Sequence, residues 1–524
     1  MFKAAASIFN DVLGPVMRGP SSSHVAGAAR IAELVRQSLG EKPLAVTVDF
    51  DINGSLAASH DGHGTDMGFI CGILGIPVTD PSVDRYFELA KEAGVRVDFR
   101  ILDYGALHPN NYRMKAVGVK GRERSWEAVS VGGGMIEMQR FDGYPVSVEG
   151  GYYELLVKLP KSSVSALKAK AEELSPAPDT TSLSEKEGSE AGLLSLKYSS
   201  KPDTTSVRAA AEALQAEDFI TLEPILPTLS QTKKAVPFMN AEELLRWNES
   251  RELSLWELAV EYESCRGGCT PDEVLEKMLA LEEIMEESIR NGLKGTEYKD
   301  RILGPQAHLI ASAAEEGRLV PCSLLNEIIK SVTAIMETKS SMGVIVAAPT
   351  AGSCGCLPGT VIGTGLALGL SRVEIAKALL AAGLIGSFIA NNATFAAEVG
   401  GCQVECGAGS GMAAAGLVQL MGGSARTCID AASIALQNVT GLACDPVANR
   451  VEVPCLGKNV MGGSNALVSA NMALAGYDRV VPLDETVAAI YDIGLKLPLE
   501  LRCTFGGLGK SPTAARLLEE LRNR

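Results

Sequence analysis

A change of hydrophobic period near residue 240 divides this chain into two kinds of sequence. Before it, short alternating runs of β-branched and aromatic residues are interleaved with amphipathic stretches. After it, apolar residues recur at helical spacing with few interruptions. "PLAVTVDFDI", "VRVDFRILDY", "YRMKAVGVKG" and "YPVSVEGGYYELLVKL" read as strands, and "HVAGAARIAELVRQSLG" as a helix that the preceding serine run can cap. "AEELLRWNES", "SLWELAVEYES", "TPDEVLEKMLALEEIMEESIRNGL" and "PCSLLNEIIKSVTAIMETKSS" read as helices, the third opened by Thr270, Pro271 and Glu273. The chain is thus predicted to be a multidomain α+β protein. Residues 1–151 form a mixed α/β domain and 236–524 a mainly helical domain. Residues 152–235 form a small βαβαβ unit around a disordered loop at 175–190, "SPAPDTTSLSEKEGSE", rich in Pro, Ser, Thr and acid.

Composition excludes several function classes. A formal charge of −15 gives no basic field to collect phosphates, so no nucleic-acid partner is expected. The most apolar segment, "IAKALLAAGLIGSFIA", is 16 residues long and contains Lys377, short of the roughly 20 a bilayer core requires. It reads as the buried helix of a protein with no membrane partner. Asp11 interrupts the apolar N-terminal stretch and no small-residue cleavage site follows, so no signal peptide is expected and the setting is cytoplasmic.

Eight of the twelve cysteines lie after position 350, and in a reducing compartment that skew favours metal binding or catalysis over disulfides. The CxxxC pairs at 265/269 and 402/406 do not match a zinc ribbon. Cys402, Cys444 and Cys455, in polar loops flanked by Gly or Pro, suit an iron–sulfur cluster. Three thiolates leave one iron open to act as a Lewis acid on a hydroxyl, although spacing alone does not establish this. "APTAGSCGCLPG" offers Thr350, Ser353 and backbone N–H groups as an anion-binding turn at a helix start. "GPSSSHVAG" and "SHDGHGTD" hold His24, His60 and His63, side chains suited to moving a proton near neutral pH.

These motifs carry a resemblance. "GPSSSH", "NGSLAASHDGHGTD", "SMGVIVAAPTAGSCGCLPG", "AEVGGCQVECG", "CDPVANRVEVPC" and "NVMGGSNALVSANMALAG" are similar to the iron–sulfur-dependent L-serine dehydratases. They occur in that family's order, with its β and α portions fused in one chain and the middle segment where some members carry an ACT-type domain. The resemblance implies β-elimination of L-serine to pyruvate and ammonia, a step that feeds gluconeogenesis. It implies a [4Fe-4S] cluster on Cys402, Cys444 and Cys455. Near its end the chain departs from the family, and Cys503 in the Gly-rich turn "CTFGGLG" is either a plain buried residue or a fourth ligand of the open iron. His63 would be the base and His24 the second choice. Ser21, Ser22, Ser23, Thr65, Asp66, Thr350, Ala351, Gly352 and Ser353 would hold the substrate, and a homodimer is expected. The alternatives are L-cysteine desulfidation on the same scaffold and a non-catalytic iron–sulfur redox sensor.

Overall fold

The alternation that marks strands in the first half of the chain builds two sheets. The computed structural model describes residues 5–231, 235–504 and 506–523, and in it the chain divides into two compact units. One is Ser23–Ala235; the other joins Met1–Ser22 to Val236–Arg524. The first 22 residues therefore belong with the helices, whereas the sequence reading placed them in the α/β domain.

Within residues 23–235, the larger sheet has six strands. Their spatial order is Arg96–Leu102, Pro43–Asp51, Asn111–Gly118, Glu123–Gly132, Met135–Phe141 and Tyr144–Val148. Only the first pair is parallel. Val46, Val48, Phe50, Tyr112, Met114, Trp126 and Met138 share one buried core with Ile31, Leu34 and Val35 of helix Val25–Leu39 and with Phe69 and Ile73 of helix Thr65–Leu74. The two helices touch backbone to backbone. A Cβ on Gly68 would lie 2.2 Å from the carbonyl oxygen of Val25. Gly68→Ala is therefore expected to destabilise this unit by about 1–3 kcal/mol through overpacking, read as a lowered urea midpoint.

The smaller sheet corrects the sequence reading. Its order along the chain is β-α-β-β-α-β, not βαβαβ, because Thr180–Glu185 is a strand inside the segment expected to be a disordered loop. In space the strands run Asp218–Leu222, Tyr153–Pro160, Ala191–Tyr198 and Thr180–Glu185, all neighbours antiparallel. Thr180–Glu185 is an edge strand on the buried Ala191–Tyr198. An edge tolerates the polar, Thr-rich composition that argued against a strand. One face of this sheet packs helices Val164–Glu173 and Thr204–Ala213 through Leu155, Val157, Leu194 and Leu196. The other face contributes Leu156, Leu193, Ile220 and Leu222 to the core of the six-stranded sheet. That shared core is why residues 152–235 do not separate from residues 23–151.

The helical unit is centred on Arg372–Asn392 and Cys406–Leu420, buried along nearly their whole lengths. Among the described residues Arg372–Asn392 is the one helix long and apolar enough to cross a bilayer, and here it is a core helix. The chain's beginning is fastened to this unit. Val16–Arg18 pairs antiparallel with Val344–Val346, and Ser7 Oγ and the Ile8 N–H both donate to the buried Glu263 carboxylate, at 2.5 and 2.8 Å.

Candidate active site

Four loops of the helical unit bring thiols together. Gly401, in the left-handed region at φ +73°, turns the chain into the short helical turn Cys402–Val404, and Cys406 opens the helix that follows. Cys444 lies in an extended stretch whose N–H donates to the carbonyl of Leu501 at 2.8 Å. Its own carbonyl accepts from the N–H of Cys503 at 2.9 Å. Cys455 follows Pro454 at the start of helix Cys455–Leu474. Cys402, Cys406 and Cys444 pack in one buried group with Ala397, against Leu442 and the half-buried Cys503. The thiols of Cys402 and Cys406 lie close enough to perturb each other's titration, as do those of Cys444 and Cys503.

Donation from Cys406 lowers the pKa of the Cys402 thiol, making it the readiest thiolate of the group. Cys406 and Cys444 are pushed up, each by its role as thiol donor and then by burial, and Cys455 is pushed up by burial. Cys455 is buried at the start of its helix and is not a member of that packed group. Among the described residues no three His, Cys, Asp or Glu side chains close on a single metal ion. The donor chemistry suits an iron–sulfur cluster instead: the soft thiols of Cys402 and Cys444 are buried in one apolar group, and that of Cys455 is buried on a third segment.

The Thr350 loop is bound to this thiol group. Thr350 and Ser353 cap each other reciprocally, each N–H donating to the other's hydroxyl at 3.3 Å. The Ala351 N–H donates to Ser22 Oγ at 3.3 Å, so one serine of the N-terminal run does meet this turn. Thr350 Oγ1 donates to Glu405 Oε1 at 2.7 Å. Asn459, fully buried, ties the pieces: its Nδ2 donates to the carbonyls of Gly352 and Cys455, each at 2.8 Å, and its Oδ1 accepts from the Cys356 N–H at 2.9 Å. Sequence reasoning missed both Glu405 and Asn459. Each sits inside a quoted motif, "CQVEC" and "NVMGGSN", yet nothing in its spacing announces a role.

The histidines occupy the α/β unit. His24 and His63 are buried with ring centroids 4.7 Å apart, edge to face. Ser59 Oγ donates its one proton to the carbonyl of Ser55 at 2.6 Å, so the 2.8 Å contact with His24 Nε2 requires His24 to be the donor. Burial favours the neutral ring of His24. Its pKa is accordingly driven well down, by burial first and then by the charges of His63 and His60. Asp66 faces His60 Nδ1 at 2.7 Å, and that hydrogen bond raises the pKa of His60. Thr65 is fully buried at the start of its helix, and the Ser23 carbonyl accepts from Ser130 Oγ at 3.0 Å. The run Ser21–Ser23 is divided between the two units, Ser21 and Ser22 lying in one and Ser23 in the other.

The two rings predict a pH optimum of stability. Below 6.5, the ordinary histidine value, the unfolded chain binds a proton at position 24 that the folded one refuses, so stability falls as pH drops. His60, facing Asp66 and Asp61, works in the opposite sense. Its contribution is complete below 6.5 and is lost as pH rises through its elevated folded value. Urea midpoints followed against pH should flatten on the acid side in His24→Gln and on the alkaline side in His60→Gln.

Residues 250–508 match the family model described as serine dehydratase alpha chain, and residues 11–140 the one described as serine dehydratase beta chain. The chain is 35% identical over 285 residues to the probable L-serine dehydratase alpha chain of Bacillus subtilis, covering 54% of this chain and 95% of that protein. It is 38% identical over 151 residues to the probable L-serine dehydratase beta chain of the same organism, covering 29% of this chain and 67% of that protein. The L-serine dehydratase of Streptomyces coelicolor is 26% identical over 524 residues, covering 96% of this chain and 98% of its own length.

Proposed function

The chain belongs to the serine dehydratase family, carrying beta and alpha portions in one polypeptide, and on that premise we propose that it converts L-serine to pyruvate and ammonia. The observation that carries the reading is the junction of the Thr350–Ser353 turn with the thiol group through Glu405 and Asn459. An anion-binding turn beside soft ligands suits a substrate that presents a carboxylate and a poor leaving group.

Cys402, Cys444 and Cys455 would hold a [4Fe-4S] cluster, which when bound supplies Lewis acidity toward the leaving hydroxyl. The chain's own residues supply the rest. Thr350, Ala351, Gly352 and Ser353, with Ser22, would orient the substrate carboxylate by exchanging hydrogen bonds within the turn for bonds to the substrate. His63 takes the α-proton; the C–H electron pair becomes the Cα–Cβ double bond as the Cβ–O bond breaks. The oxygen leaves as water after gaining a proton, and the aminoacrylate tautomerises to an imine that water hydrolyses to pyruvate and ammonium. His24 holds its neutral ring edge-on to His63 and steers it. Twelve cysteines without a disulfide support a reducing, cytoplasmic setting.

The test is anaerobic purification followed by iron and sulfide analysis beside pyruvate formation from L-serine. Iron and sulfide in the ratio of a [4Fe-4S] cluster, with turnover that chelation removes, is the expected result. Full turnover in iron-free protein overturns the mechanism. Sulfide release from L-cysteine at a higher kcat/KM than pyruvate release from L-serine would favour the desulfidase alternative.

A further inference from the structure

We propose that Glu405 recognises the α-ammonium of the substrate and so makes the site specific for amino acids, a role that rests on the dehydratase reading above. Glu405 stands between Cys402 and Cys406, where the backbone leaves the Cys402–Val404 turn and enters helix Cys406–Leu420. It is half-buried. Its Oε1 accepts from Thr350 Oγ1 at 2.7 Å. A Cβ on Gly352 would lie 3.3 Å from both carboxylate oxygens, so the carboxylate rests against the bare α-carbon of the loop that orients the substrate.

No lysine or arginine among the described residues forms an ion pair with it. The neighbouring cations are engaged elsewhere: Lys339 Nζ donates to the carbonyl of Val451, and Lys458 Nζ donates to Asp445 and to the carbonyl of Ala443, each at 2.6 Å. A carboxylate withdrawn from water with a single hydroxyl partner is poorly compensated, and an arriving cation relieves it. Burial first, then the charges of Cys402 and Glu398, push its pKa up to about 8, so an arriving ammonium would favour the ionised form.

Substrate chemistry assigns that partner. L-Serine presents a carboxylate, a hydroxyl and an ammonium. The donors of the Thr350–Ser353 turn suit the carboxylate and the thiol side suits the hydroxyl. The ammonium, three donors and a full charge, needs an acceptor within reach of both. Glu405 is a carboxyl group that touches the turn and adjoins the thiols, and its Oε2 accepts no hydrogen bond from the described residues.

The experiment uses the loaded enzyme under anaerobic conditions and compares calorimetric Kd values for L-alanine and propanoate. These differ only in the ammonium, and neither can be dehydrated. Wild type should bind L-alanine about tenfold tighter or more, the scale of a charge-assisted pair. In Glu405→Gln the preference should vanish while the propanoate Kd stays within about threefold, and the KM for L-serine should rise more than kcat falls. Glu405→Asp should keep part of the preference, which guards against a variant that merely folds badly. Equal affinity for both ligands in wild type overturns the proposal without any variant. So does equal weakening of both in Glu405→Gln, which would make the residue a prop for Thr350. Intact preference with kcat alone reduced also overturns it, in favour of an acid acting on the leaving group. Wild type unable to turn over L-serine overturns the dehydratase reading itself, and the ammonium role with it.

Discussion

Cys402→Ser, Cys444→Ser and Cys455→Ser are each expected to abolish pyruvate formation and, measured separately, the bound iron and visible absorption of anaerobically purified protein. The expectation follows from three thiols on three segments: removing one leaves two, too few to retain a cluster that already has an open iron. Cys71→Ser and Cys428→Ser serve as controls. Both cysteines are buried within helices, Thr65–Leu74 and Ala425–Asn438, outside the thiol group, and both variants should keep cluster and turnover. Full activity in iron-free Cys444→Ala would end the argument. Cys503 is the informative intermediate case. It holds φ at +61°, a left-handed conformation that costs a non-glycine residue about 1 kcal/mol or more, with its thiol against Cys444. As a resting fourth ligand displaced by substrate, it should be dispensable for the cluster. Cys503→Ser should then show a lower KM for L-serine and faster loss of activity in oxygen.

His63→Ala is expected to lower kcat by at least about 10²-fold, the ordinary contribution of a general base, while iron content and cluster absorption stay at wild-type values. Exchange of the substrate α-hydrogen with deuterated solvent should disappear with it. The ring of His24 stands 4.7 Å from that of His63, so the same exchange measured in His24→Ala decides between them. Loss of exchange in His24→Ala with retention in His63→Ala would transfer the base to His24.

What the sequence disclosed and what it hid have different physical origins. Local rules wrote themselves plainly. Thr270 and Glu273 form the reciprocal cap that opens Pro271–Lys294, and the runs around Val46 and Met114 alternate as strands with one face buried. The motifs containing Cys402, Cys444 and Cys455 pointed to thiol chemistry because their flanking Gly and Pro are costly anywhere but in a fixed loop. The hairpin Glu123–Gly132 and Met135–Phe141 escaped, since charged residues occupy its solvent face and a register shift between Glu127 and Ala128 breaks its period. Thr180–Glu185 escaped because its stability comes from a partner strand rather than from its own residues. In the site, Asn459 reaches Cys406, Cys356 and Gly352 across 53, 103 and 107 positions, and Glu405 reaches Thr350 across 55; no window of sequence displays such partners. The pairing of Asp66 with His60 was likewise invisible, although the two are only six residues apart, because it depends on how a turn closes before helix Thr65–Leu74.

The docking of the chain's first residues into the helical unit sets an order of events during synthesis. Val16 finds its strand partner at Val346, 330 positions later (346 − 16), and Ile8, Phe9, Val12 and Leu13 reach burial only in that same unit. A ribosome adding about 5–20 residues per second needs roughly 20–60 s to deliver that partner. For that interval this apolar segment has no native surface to cover it, while Ser23–Ala235 already has all of its own sequence and can close around its sheets. Residues 8–18 thus reach their native place after Ser23–Ala235 can close, and a holding chaperone that masks them in that interval would serve the chain better than one that acts after release.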